Sequence, residues 1–225
     1  IEVLGGEEMF GAYARTNARE VVLKMSAKAK SKDSLELFAR EFAPAATSMA
    51  PGTMGLIGGR PSPTPVVRLF SFLLDKAEVA VEIDINGERS AVAIPLEGGF
   101  DAATLGPALV HPVSSAAPGA DGAPVALITL AHGRSGDKGN NANIGVIARR
   151  VADLPRLSAW LTPERVAAHF AHRAPSRVER FDLPGLNAIN FVLHELLGGG
   201  GMTSLHTDNL AKAYAQVLLT MELPG

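Results

Sequence analysis

Residues 127–150, LITLAHGRSGDKGNNANIGVIARR, place two apolar runs on either side of a polar segment. That segment holds Arg134, Ser135, Asp137, Lys138, Asn140, Asn141 and Asn143, with glycine at 133, 136 and 139. A two-residue turn such as Asn-Gly is enough to reverse a strand. So much charge, amide and glycine predicts two strands, PVALITLAH (124–132) and NIGVIARRV (143–151), joined by a polar loop with a task of its own. Downstream, TPERVAAHFAHRA (162–174) reads as a helix with Thr162 as N-cap and Pro163 at the first helical position. RVERFDL (177–183) and NAINFVLHELL (187–197) are strand-like, and after GGGG (198–201) comes HTDNLAKAYAQVLLTME (206–222), a helix capped by Thr207 or Asp208. The order β-β-α-β-β-α predicts an α+β layer in which two helices cover one face of a largely antiparallel sheet.

Upstream the signals are shorter. REVVLKMSAKA (19–29) reads as a strand, and KDSLELFAREFAP (32–44) as an amphipathic helix that stops at Pro44. Residues 44–65 are rich in Pro, Gly, Ser and Thr, yet Met49, Met54, Leu56 and Ile57 favour an ordered loop packed on a surface. PVVRLFSFLL (65–74), AEVAVEIDI (77–85) and ERSAVAIPL (88–96) alternate as strands, with Asn86-Gly87 as a type I′ turn. Periodicity is lost over 98–123, which marks a linker between a first module, 1–97, and a second, 124–225.

Composition narrows the classes. The chain has 225 residues, 47% of them hydrophobic and 20% charged, enough to bury a core. A formal charge of −2 without a polybasic run argues against a nucleic-acid partner. Cysteine is absent, which excludes disulfides, thiolate metal sites and a cysteine nucleophile and fits a cytoplasmic protein. No apolar stretch is long enough for a bilayer-spanning helix, so no membrane association is expected.

In the polar segment, the glycines permit left-handed backbone whose successive N–H groups form anion-binding nests. Arg134 offers a forked donor for phosphate or carboxylate, Lys138 a point charge, and the asparagines amides for a carbonyl. The opposing reading is a connection whose Asp and Asn side chains hold only its own backbone. It is not a Walker A loop, since Gly-Lys-Ser/Thr is missing. The tetraglycine run reads either as a flexible tether or as a place where backbone donors meet a ligand. His169 and His172 lie three apart on the expected helix without a third ligand in sequence, so no metal is expected there. His132 is a general-base candidate or a structural strand-end residue, and spacing assigns no base to Ser135.

RSGDKGNNANIGVIAR, FDLPGLNAINFVL, LGGGG and SLHTDNLAKAYAQVLL together resemble the C-terminal, ferredoxin-like domain of the acyclic terpene utilisation AtuA family. GGEEMFGAYART, SMAPGTMGLIGGRP and PVVRLFSFLL resemble the end of the larger α/β domain that precedes it there, the domain of unknown function 1446. His206 and Ala211 stand where a basic residue and a glycine are commoner in that family. The resemblance implies the end of an α/β domain followed by a ferredoxin-like antiparallel sheet, in a chain that continues upstream of Ile1 or pairs with a partner subunit. It also implies catabolism of branched acyclic terpenoids through acyl-CoA thioesters, of hydratase or lyase type, in an oligomer. The alternative is a non-catalytic assembly or ligand-binding subunit of an acyl-CoA-processing complex. The resemblance carries over no catalytic residue; for the enzyme reading, the chemistry of the polar segment makes Asp137, Lys138 and Asn143 the expected catalytic residues. Arg134, Ser135, Asn140, Asn141, Ser48 and Arg60 would bind an acyl-CoA, with loop 46–60 closing over the pocket. No cofactor is expected beyond the thioester as substrate.

Overall fold

In the computed structural model, which describes residues 1–55, 58–99, 101–104 and 122–224, the polar segment is not a loop but the strands themselves. The strands are β1 (Glu2–Leu4), β2 (Val22–Lys24), β3 (Glu82–Ile85), β4 (Glu88–Ala91), β5 (Val125–Ala126), β6 (Ala131–Lys138), β7 (Asn141–Ala148), β8 (Val178–Leu183), β9 (Ala188–Leu193) and β10 (Glu222–Leu223). The helices are α1 (Lys32–Ser48), a single turn α2 (Leu127–Leu130), α3 (Leu154–Trp160), α4 (Pro163–His169) and α5 (Tyr214–Leu218). Contacts divide the chain into two units, Ile1–Arg68 with Val113–Gly225, and Leu69–Pro112.

The larger unit is built on a four-stranded antiparallel sheet in the order β6-β7-β9-β8. Side chains alternate across a strand, and the alternation is clearest in β7 and β9. Ala142, Ile144 and Val146, with Ile189, Phe191 and Leu193, are buried on one face. Against them pack Leu157 of α3, Val166 of α4, Phe170, and Tyr214, Val217 and Leu218 of α5. Each such fully buried side chain contributes roughly 1.5–3 kcal/mol, so this layer dominates the unit's stability. β10 pairs with β5 at the edge of the core.

Why β6 does not look like a strand follows from its two faces. Ala131, Gly133, Ser135 and Asp137 share the helix side with Ala142, Ile144 and Val146. A Cβ on Gly133 would stand 3.1 Å from Leu219 Cδ1 and 3.3 Å from Ala215 Cβ, so close helix packing replaces the apolar residue that a strand pattern asks for. Among the described residues no helix covers the opposite face, which carries polar residues. The reversal itself needs only Gly139-Asn140, with Gly139 at φ +63.

Other expectations change as well. PVALITLAH is a two-residue strand followed by the α2 turn. α1 runs through Pro44 to Ser48; the ring removes one donor, and Thr47 Oγ1 and Ser48 Oγ donate back to Pro44 O at 3.1 and 2.8 Å. Residues 65–74 form no strand, and Leu69, Phe70, Phe72 and Leu73 are exposed. The closing helix shrinks to α5, because Ala211 sits at φ +54 and the Asp208 carboxylate accepts from Lys212 N and Ala213 N at 2.8 Å each. Thr162 caps α4 by accepting from Arg165 N, and Asn86 and Gly87 both have positive φ as a type I′ turn requires. Most of the expected linker 98–123, and Leu56 and Ile57, lie outside the described residues.

The N-terminal segment docks on the sheet domain. Met9 and Phe10 pack against the core, the Tyr13 ring stacks on buried His169 with centroids 4.0 Å apart, and His172 Nε2 donates to Met9 O at 2.7 Å. His169 Nε2 donates to Val217 O at 2.8 Å, so both histidines have packing roles.

Candidate active site

Strand register composes the helix-free face of the sheet row by row. His132, Arg134, Gly136 and Lys138 of β6 lie opposite Ile147, Gly145, Asn143 and Asn141 of β7. Ala188, Asn190 and Val192 of β9 continue the rows, then Leu183, Phe181 and Glu179 of β8. One corner is apolar, with Ile147 48%, Phe181 47% and Leu183 37% exposed. The β6 edge is cationic: Arg134 and Lys138 are exposed, and Lys212 Nζ stands 3.4 Å from the position of a Cβ on Gly136. At the centre, Asn143 Nδ2 donates to Asn190 Oδ1 at 2.9 Å, which leaves the Asn190 Nδ2 donors available for another acceptor.

At the far end of β9 stands an acid/base pair. His194 Nε2 donates to Glu179 Oε2 at 2.5 Å, and Arg177 Nη2 lies 3.2 Å from the same oxygen. Arg177 Nη2 also lies 3.3 Å from His194 Nε2; in the neutral ring that gives its Nε2–H to the carboxylate, the lone pair sits on Nδ1, the arrangement of a base held by an orienting carboxylate.

The expected residues separate accordingly. Arg134, Lys138, Asn141 and Asn143 share the open face, while Ser135 and Asp137 lie on the helix side. Ser135 Oγ accepts from Ala215 N at 2.8 Å and donates to Lys212 O at 3.3 Å, which caps α5 from a neighbouring strand. Asn140 Oδ1 accepts from Gly199 N at 2.6 Å and Asn141 Oδ1 from Glu195 N at 3.1 Å. The tetraglycine run is therefore seated on the β6–β7 turn rather than acting as a tether. A Cβ on Gly200, at φ +91, would come 3.0 Å from Gly139 O. Ser48 ends α1 and Arg60 is exposed in a turn, neither of them on this face. His132 is exposed beside Arg149 at 3.3 Å.

A second feature forms where β1 and β2 meet the segment after the glycines. Lys24 Nζ donates to Glu2 Oε2 at 2.7 Å, Leu205 O at 2.9 Å and Thr207 Oγ1 at 3.0 Å, and Thr207 N donates to Glu2. Burial alone raises the Glu2 carboxyl, but the hydrogen bonds from Lys24 and Thr207 prevail and hold its pKa at about 2. His206 Nδ1 lies 3.8 Å from Glu2; burial, then Arg173, lowers its pKa. Among the described residues no group of three or more His, Cys, Asp or Glu is placed to hold a metal, and no helix is long and apolar enough to cross a membrane.

Sequence reasoning missed His194, Asn190 and Lys212. The first two were readable: in AINFVLH, alternation sets Asn190, Val192 and His194 opposite Ile189, Phe191 and Leu193. Lys212 reaches the face only through tertiary packing.

Comparison with known proteins agrees with this architecture. No curated protein and no solved structure matches the chain. A family model for the AtuA ferredoxin-like domain matches residues 125–224, which span the β6-β7-β9-β8 sheet and its helices. A model for the acyclic terpene utilisation family protein AtuA matches residues 1–85. Matched over both of these stretches, the chain belongs to the acyclic terpene utilisation AtuA family.

Proposed function

We propose that this chain is the C-terminal part, or a subunit, of an enzyme that hydrates or cleaves branched acyl-CoA thioesters, and that its reaction surface is the helix-free face of the sheet. The observation that carries the reading is the His194–Glu179 pair on the same face as Arg134, Lys138 and Asn143. Arg134, Lys138 and Lys212 form a cationic edge suited to coenzyme A phosphates. The Asn143–Asn190 pair supplies amide N–H groups for the thioester carbonyl, whose oxygen gains charge as an enolate develops. Ile147, Phe181 and Leu183 offer apolar surface to a branched chain.

His194 Nδ1 takes the proton that hydratase and lyase chemistry removes from carbon, and Glu179 stabilises the imidazolium that results. Asp137, on the helix side, is left out of this role. Isothermal titration with a branched acyl-CoA tests the reading: Arg134→Ala and Lys138→Ala should each weaken binding by about tenfold, the worth of one charge-assisted contact. Unchanged affinity in both variants would remove this face from the ligand site. Weight would then move to the second reading, an assembly subunit, which the exposed run Leu69, Phe70, Phe72 and Leu73 favours.

A further inference from the structure

We infer that the groove between α1 and the segment after the tetraglycine run is a separate binding site for an aliphatic chain that ends in an anion. Its volume is about 740 Å³, within the range of small-molecule sites. One wall is the apolar stripe of α1, in which Leu35, Phe38 and Ala39 lie at i, i+3 and i+4. Leu35 and Phe38 are only half-buried. This stripe therefore faces a cleft instead of being closed into a core. Pro63 and Val66 border it on one side, and Met202 and Leu205 on another.

The charge in this groove has one sign. Lys28, Lys30 and Lys32 line it, and no carboxylate does among the described residues. Glu36 holds Lys32 at 3.0 Å; among the described residues Lys28 and Lys30 have no ion-pair partner. Lys28 also borders the adjoining cleft, of about 310 Å³, lined by Glu2, which is held by Lys24, and by Glu8, which accepts from Val3 N. Lysines lining an apolar trough, of which Lys28 and Lys30 have no ion-pair partner among the described residues, call for an occupant with an apolar body and a negative head. A neutral chain would leave the lysines unmatched, and a compact anion would leave the α1 stripe unfilled. A free aliphatic carboxylate and an alkyl phosphate share this chemistry. The inference does not depend on the reaction proposed above, because no open-face residue lines the groove.

Titration of the whole chain with decanoate, decyl phosphate and decanol separates the cases. Decanoate or decyl phosphate should bind at least about tenfold more tightly than decanol, and more weakly as salt is raised. The tighter of the two anions identifies the head as carboxylate or phosphate. Lys28→Glu with Lys30→Glu should lose that preference, and Phe38→Asp should lose binding of all three, with the circular dichroism spectrum unchanged because both lysines are exposed and Phe38 is half-buried on the groove wall rather than enclosed in the core. Arg134→Ala should leave decanoate binding unchanged, and so should coenzyme A as a competitor. Decanol binding as tightly as the anions, unaltered affinity in the lysine double variant, or displacement of decanoate by coenzyme A would each overturn the inference.

Discussion

Ala174 shows how much one backbone angle can matter. It closes the turn after α4 at φ +49 and ψ +58, exposed to solvent, a left-handed conformation that costs an L-residue roughly 1–2 kcal/mol. Glycine adopts it freely but loses more freedom on folding. Ala174→Gly should therefore stabilise the protein by about 0.5–1 kcal/mol, read from urea unfolding; a lower midpoint would show that the turn carries no strain. Glu2 supplies the complementary electrostatic case. Its pKa is about 2 in the folded protein against an ordinary value of 4.5, so its contribution is complete above pH 4.5 and is lost as pH falls from there toward 2. Glu2→Gln should lower stability at pH 7 and flatten that part of the acid limb. An acid limb identical to that of the unsubstituted protein would mean that Glu2 is not held by Lys24 and Thr207. His206 departs from the family pattern, and its neighbours Leu205 and Thr207, through the O and N atoms that meet Lys24 and Glu2, anchor the N-terminal segment.

At the scale of elements, β6 separates what was legible from what was not. Local chemistry was readable wherever it was self-sufficient: the Thr162 cap, the Asn86-Gly87 turn, and the alternation of β7 and β9. β6 was unreadable because its residues answer to distant neighbours. Gly133 makes room for Leu219 and Ala215, and Ser135 caps a helix some eighty positions later in the chain. The shortening of the last helix has the same origin, since Asp208 and Ser135 together set where its amides go. The contrast between two glycines of this strand is testable. Gly133→Ala should cost about 1–3 kcal/mol by overpacking, because its Cβ would press on core side chains. Gly136→Ala, whose Cβ would meet only the tip of Lys212 at 3.4 Å, should stay within about 0.5 kcal/mol. Equal losses in the two variants would contradict the assignment of faces, and with it the composition of the candidate site.

For the whole molecule, family membership and the α+β sheet were within reach of the sequence, since both depend on motifs and on the order of elements. The site was only half legible: Arg134, Lys138, Asn141 and Asn143 do share a face, but the expected acid/base Asp137 lies across the sheet from them. A reading by proximity in sequence cannot see that neighbours in a strand point in opposite directions until the segment is known to be a strand. The central claim is that His194, oriented by Glu179, moves a proton on a thioester lying over the open face. The direct measurement is deuterium incorporation from heavy water into the carbon skeleton of a branched acyl-CoA, followed by NMR, with binding measured in parallel. His194→Ala should slow incorporation by about a hundredfold or more, with affinity for the thioester kept. Incorporation at the unsubstituted rate in His194→Ala would contradict the account.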